Sequence, residues 1–334
     1  MRRGLWKNHR EDDLGLKRWT KIAGLSLAGM IAACGALRAQ EWPTREIKLV
    51  APFGPIGFVD VVARVISDEL AQDLGKPVIV ENRAGAGGAL GAGQVARAAP
   101  DGYTLLLGGL APNIMSPAIN TNVTYDGLRD FTHIAYIGGP PVAWIVPKDS
   151  PLKTVRDVIE EARKDRLVGY NSSGVGTLGH VLVAMVIKQA NVKIPHVPMN
   201  QASMMDIIAG RVPLGSFAYG SVVGQIQGGA ARMISVSSEQ RVAAFPDVPT
   251  FKDSGFDVAA NSWLSLEAPK GLPQPIADRL RTAIGKILQK PNVAERLRAE
   301  GIAPKPMSPA ELSAFFESEA ARWVPAAKDA VSGE

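Results

Sequence analysis

LVAPFGPIGFVDVVAR, residues 49–64, runs from an apolar strand through a Gly/Pro turn directly into a helix whose first turn carries an acid. A strand, a tight turn and a helix in this order form the building step of α/β folds. The helix start leaves backbone N–H groups unpaired, and with the helix dipole these make an anion site from main chain alone. Two questions follow: whether the unit repeats, and whether anything is done chemically to the anion.

The unit repeats. Around it, Glu46–Phe53 reads as a strand, Phe58–Leu74 as a helix and Pro77–Asn82 as a strand. The glycine-rich RAGAGGALGAG then leads into a helix through Ala98, followed by a strand at Tyr103–Gly108. Two β runs, HIAYIGG and PVAWIVP, stand back to back with no helix between them, so the junction Gly138–Pro141 is where the chain is expected to cross between lobes. A second series follows, with helices at Thr154–Lys164, Gly179–Ala190, Ala202–Gly210 and Ser221–Gly228. They alternate with strands at Leu167–Asn171, Ile194–Met199, Val212–Tyr219 and Arg232–Ser237. The tail gives a strand around Val258–Leu266 and helices at Pro275–Gln289, Asn292–Glu300 and Ala310–Lys328. Such alternation predicts an α/β fold with largely parallel sheets.

Composition bounds the function. With 334 residues, 46% of them hydrophobic, the chain can bury a large core and divide into two lobes. The formal charge of +5 comes wholly from the first 39 residues, which hold 8 Lys/Arg and 3 Asp/Glu. The rest is balanced, so the general basic footprint of a nucleic-acid binder is absent. Those first residues have the pattern of an export signal. Lys17, Arg18 and Lys21 precede the apolar run Ile22–Ala36, and small residues follow. Cleavage is expected after Ala39; a lipoprotein cut before Cys34, the one cysteine, is the competing reading. An exported chain starting at Gln40 would carry no cysteine, hence no disulfide and no thiolate ligand or nucleophile.

Catalytic patterns fail in turn. GAGQVA, Gly91–Ala96, matches a dinucleotide fingerprint but lies inside an expected helix rather than at its opening turn. There is no G-x-S-x-G elbow, H-E-x-x-H pair or Walker sequence, and His133, His180 and His196 lack metal partners at useful spacing. The expectation is therefore no catalytic residue, no metal and no cofactor. YNSSGVGTLGH, Tyr170–His180, instead offers a second strand–turn–helix unit, with Ser172, Ser173 and Thr177 as hydroxyl donors. Two such turns, one per lobe, predict a cleft whose opposite walls both present helix starts to an anion.

The same residues carry a family resemblance. The stretches Pro52–Arg64, LGKPVIVENRAGAGGALGA from Leu74, the PDGYTLLLG run ending at Gly108, HVP at His196, PDVPT at Pro246 and Ser262–Pro273 resemble the solute-binding receptors of tripartite tricarboxylate transporters, the Bug family. The match covers the chain from Trp42 to the last helix. It implies a type II periplasmic-binding-protein fold, with two α/β lobes joined by a two-strand hinge and a ligand cleft between them. On this basis, lobe 1 takes residues 40–139 and 239–334 and lobe 2 takes 140–238, after a signal peptide at 1–39. The resemblance also implies a periplasmic monomer that binds a small carboxylate through backbone N–H groups and waters and delivers it to membrane permease subunits.

The ligand-binding candidates are Phe53, Gly54, Ile56, Gly57, Phe58 and Asp60 on the first turn, with Asp60 expected to hold its own helix start. Ser172, Ser173, Gly174, Thr177 and His180 follow on the second, with Met199, Asn200 and Phe217 beyond. The chain departs from the family here. The usual P-F-A-x-G-G-x-[ST]-D reads Pro52-Phe53-Gly54-Pro55-Ile56-Gly57-Phe58-Val59-Asp60, H-V-P-Y-[KR]-G reads His196 to Gln201, and V-D-x-M-F-[DS] reads Val212 to Phe217. Either apolar surface replaces polar contacts in the cleft, favouring an aromatic or branched acid over citrate, or these positions lie away from the ligand. An exported hydrolase on the same fold and a ligand-sensing subunit of a signalling system remain as alternatives. A Ser or Asp hydrogen-bonded to His180 or His196 would mark the hydrolase.

Overall fold

The computed structural model describes residues 42–167, 169–197 and 203–332, and the expected signal segment with Cys34 lies outside them. Residues Arg45–Glu334 form one unit, to which all that follows refers. Strand β1 (Ile47–Ala51) is apolar and buried apart from the exposed Lys48, as suits a strand inside the sheet. It passes through the Gly/Pro turn into α1 (Phe58–Leu74), which Gly75 closes in the left-handed conformation with its N–H on the Ala71 carbonyl. β2 (Val78–Asn82) pairs parallel to β1. A glycine-rich turn then opens α2 (Ala89–Ala96). Gly91 lies inside this helix, and a Cβ there would sit 3.0 Å from both Pro52 Cα and the Arg83 carbonyl oxygen. Close packing on the β1 turn thus accounts for this glycine of the GAGQVA sequence.

β3 (Thr104–Gly109) runs into a π-turn at Ala111–Met115 and the single turn α3 (Ser116–Ile119). The sequence reading missed both. Pro112 and Pro117 suppress a helical reading, but each occupies the first turn of its own segment, where no N–H is needed. β4 (Phe131–Gly138) and β5 (Val142–Pro147) follow back to back as expected. α4 (Val155–Arg163) starts on a reciprocal Thr154–Asp157 capping box. Next come β6 (Tyr170–Ser172), α5 (Leu178–Ala190), α6 (Ser203–Ile208), β7 (Leu214–Ala218), α7 (Tyr219–Gln227) and β8 (Ala231–Val236). β9 (Leu264–Pro269), α8 (Gln274–Ile287), α9 (Pro291–Ala299) and α10 (Pro309–Ser332) complete the chain. Among the described residues no helix is long and apolar enough to cross a membrane.

The strands form two sheets, ordered β2-β1-β3-β9-β4 and β6-β7-β5-β8. The expectation of largely parallel sheets is corrected: β9 runs antiparallel to β3 and β4, and β5 antiparallel to β7 and β8. Parallel neighbours need a helical crossover. β5 and β9 carry the chain from one sheet to the other without one, so each inserts against its neighbours. The two connecting segments run side by side. Ser262 N–H donates to the Pro140 carbonyl at 2.8 Å, and Ser237 N–H to that of Val142 at 2.8 Å. Gly139 passes so close to Ser262 that any Cβ would overlap its carbonyl.

Two strand expectations shift. Val258 is buried in this connecting segment, and the strand starts only at Leu264 because the preceding backbone pairs with the neighbouring crossover. In place of a strand at Ile194–Met199, His196 makes an isolated bridge to Tyr170, and residues 198–202 lie outside the described chain. The last helix packs on elements of both sheets. Leu312, Phe316 and Trp323 share one apolar cluster with Trp144, Tyr170 and Val181, while Phe316 stacks on His133 of β4 at 3.8 Å.

Candidate functional site

Two turns, one after a strand of each sheet, carry most of the expected residues. The first follows β1, at the point where β2 and β3 leave on opposite sides, which is where ligands bind in open α/β sheets. Gly57 stands at the start of α1 in extended conformation, and no side chain caps the helix. Asp60 is 5% exposed and braces the turn from beneath. It accepts from Ile56 N–H at 3.2 Å, from Arg64 Nε and Nη2 at 3.0 Å each, and from Asn82 Nδ2 at 3.0 Å. Burial pushes its pKa up, but the Arg64 and Asn82 side chains and the Ile56 N–H together hold the carboxyl below its usual range. Asp60 therefore organises its own helix start, as expected. Asn82 also donates to the Phe53 carbonyl at 3.2 Å. The Phe53 ring lies 3.3 Å from where a Cβ on Gly88 would stand, and Gly54 has open space beside it.

The second turn follows β6. Ser172 is buried, and its Oγ accepts from Gly174 N–H at 3.2 Å and lies 3.1 Å from His196 Nε2. Thr177 Oγ1 donates to the Gly174 carbonyl at 2.7 Å. Two of the three expected hydroxyls thus hold the turn together, and Ser173 is the exposed one. Thr177 precedes α5 without capping it through its side chain. His180 is fully buried behind the turn, edge-on to the His196 ring at 4.8 Å.

Elements of the two sheets meet at two places. Phe58 N–H, the first of α1, donates across to Ser221 Oγ at 3.3 Å, and a Cβ on neighbouring Gly220 would come within 3.1 Å of Phe58 Cβ. On the other flank, a Cβ on Gly87 would lie 3.0 Å from the Val175 carbonyl, and Ser116 Oγ fixes this loop by donating to the Gly87 carbonyl at 3.0 Å. Ser221, Gly87, Ser116 and Asn82 were missed by sequence reasoning. Only the ENRAGAGG stretch carried any signal for two of them.

Three candidates stand apart. Phe217 is 4% exposed and packs in the apolar cluster with Ile145, Ile207 and Val236, because β7 is covered on both faces. Met199 and Asn200 lie outside the described residues. Among the described residues, no group of three or more His, Cys, Asp or Glu side chains is placed to hold a metal.

Comparison with known proteins agrees with this architecture. The family model described as "Tripartite tricarboxylate transporter family receptor" matches residues 62–330. The UPF0065 protein in the tcbD–tcbE intergenic region of Pseudomonas sp. strain P51 is 33% identical over 309 residues, covering 90% of this chain and 91% of that one. Two solved structures are R. palustris Rpa4515 with adipate, 30% identical at a TM-score of 0.83 over 87% of this chain and 98% of the other, and MatC from Rhodopseudomonas palustris with bound malate, 29% identical at 0.80 over 86% and 100%. The fold is that of these periplasmic binding proteins. By sequence and by structure, this chain belongs to the tripartite tricarboxylate transporter receptor family.

Proposed function

We propose that the protein is an extracytoplasmic receptor that captures a small carboxylate between the turns Phe53–Asp60 and Ser172–Thr177 and presents the closed form to a membrane permease. One observation carries this reading: two helix starts, neither capped by a side chain, follow strands of different sheets, and the first of them touches α7 of the second sheet through Phe58 and Ser221. A helix start stabilises an anion by about 0.3–1 kcal/mol. A hydrogen bond to a charged group adds about 1.5–3 kcal/mol. Four or five such bonds, less the ordering cost, reach the roughly −8 kcal/mol of micromolar binding. No catalytic group is needed.

The lobes in this reading are the two sheets with their helices, crossing at 139–142 and 237–263, with α10 laid across both. The ligand has an apolar body with a carboxylate at one or both ends, as adipate has, and the protein acts as a monomer in the periplasm after cleavage near Ala39. The malate-bound and adipate-bound relatives support a carboxylate; the exposed Ile56 and half-buried Phe58 on the first turn support the apolar body.

The Ser172–His196 contact favours one second reading, that of a hydrolase. Ser172 is 4% exposed and its hydroxyl is held by Gly174, which leaves little room for attack on a substrate. Incubating the protein with adipate, malate and their methyl esters separates the two. Saturable one-to-one binding of the acids with the esters left intact supports the receptor; ester turnover that Ser172→Ala abolishes supports the enzyme.

A further inference from the structure

Ile56 breaks two rules at once. Its φ is +75°, in the left-handed region that β-branched side chains avoid, and it is 88% exposed, more than any other large apolar residue described. A backbone outlier persists only when its surroundings enforce it. Here Asp60 does so by accepting the Ile56 N–H, while Arg64 and Asn82 fix the carboxylate. The resemblance implies glycine at this position, the residue that would adopt such a φ without strain. This chain therefore keeps a strained, water-exposed side chain where glycine would serve the turn better.

The position gives the strain a use. Ile56 lies two residues before the N–H that Phe58 donates across to Ser221, a bond between elements of the two sheets. The tip of that second turn carries Val175, 41% exposed, whose carbonyl abuts the Gly87 loop. Both turns thus carry an exposed branched aliphatic residue.

We infer that Ile56 is a specificity-determining residue, an apolar cover over the cleft that favours ligands with a methylene body and disfavours hydroxylated or tricarboxylic acids. This rests on the carboxylate-receptor reading above. A polymethylene ligand would bury the Ile56 side chain on closure, whereas a hydroxyl or third carboxylate placed against it would lose water without gaining a donor.

The test compares wild type with Ile56→Gly and Ile56→Asn, two residues that tolerate the left-handed backbone, by calorimetric titration with adipate, malate and citrate. Wild type is expected to bind adipate at least tenfold tighter than malate. Both variants are expected to reduce that ratio at least fivefold without a fall in melting temperature. An unchanged ratio in variants that still bind carboxylate overturns the inference and leaves the receptor reading intact. The same holds if the ratio is unchanged while permease-dependent uptake falls, which would make Ile56 a docking residue. If wild type binds none of the three acids, the receptor reading fails, and the inference with it.

Discussion

The N–H of Phe58 donates to Ser221 Oγ at 3.3 Å, joining residues 163 apart in sequence on helices that pack against different sheets. In the proposed site the first N–H of α1 is one of the groups a bound anion would use, at the point where ligand would replace or reinforce the bond to Ser221. Ser221→Ala removes the acceptor. The net value of one such bond is about 0.5–1.5 kcal/mol, so carboxylate affinity should fall roughly two- to tenfold. Calorimetric titration checks this, and an increase in affinity would mean that Ser221 competes with the ligand for Phe58.

Gly57 and Gly174 differ in what they tolerate. At Gly57 the backbone is extended and the nearest atoms to an added Cβ are 3.9 Å away, so Gly57→Ala should change affinity less than threefold. Gly174 has φ +129°, which strains any side chain although space beside it is open. Gly174→Val should lower the melting temperature and weaken binding at least tenfold. Equal effects at the two sites would contradict the geometry of the second turn.

Asp60 links the site to acid stability. Its pKa is lowered below the ordinary 3.8, so its contribution is present above that pH and is lost as pH falls through the lower folded value. Asp60→Asn should destabilise the protein by about 1–3 kcal/mol near neutrality, since Arg64 and the Ile56 N–H lose a charged acceptor. The variant's melting temperature should also fall less steeply than that of wild type below about pH 4. Parallel acid transitions would remove Asp60 as the brace.

His133 gives the opposite sign. Burial lowers its pKa, but the Glu267 carboxylate, 3.5 Å away, and the Leu128 carbonyl outweigh burial and raise it above 6.5. The stabilisation is complete below pH 6.5 and is lost as pH rises through the raised folded value. Wild type should therefore lose melting temperature on the alkaline side of 6.5 in a way that His133→Gln does not.

Much of this was legible in the residues. Phe58–Leu74 was read as a helix to the residue, because a Gly/Pro turn opens it, an apolar stripe runs through it and glycine closes it. The two strand–turn–helix units were legible for the same local reasons. What was not legible depends on distance in the chain. That Asn82 and Arg64 hold Asp60, or that Ser221 meets Phe58, follows only once the sheets are assembled. The setting of Phe217 was not legible because β7 is buried on both faces, so alternation along the strand carries no sign of where each side chain packs. The direction of β5 and β9 was hidden because strand-like runs look alike whichever way they enter a sheet.

The central claim is stoichiometric capture of a carboxylate without chemistry. Titrating the exported chain with adipate in a calorimeter, and assaying the recovered ligand for conversion, tests it most directly. The account predicts one site per chain, micromolar dissociation and ligand recovered unchanged. Absence of binding to adipate, malate and citrate alike, or conversion of the bound acid, would contradict it.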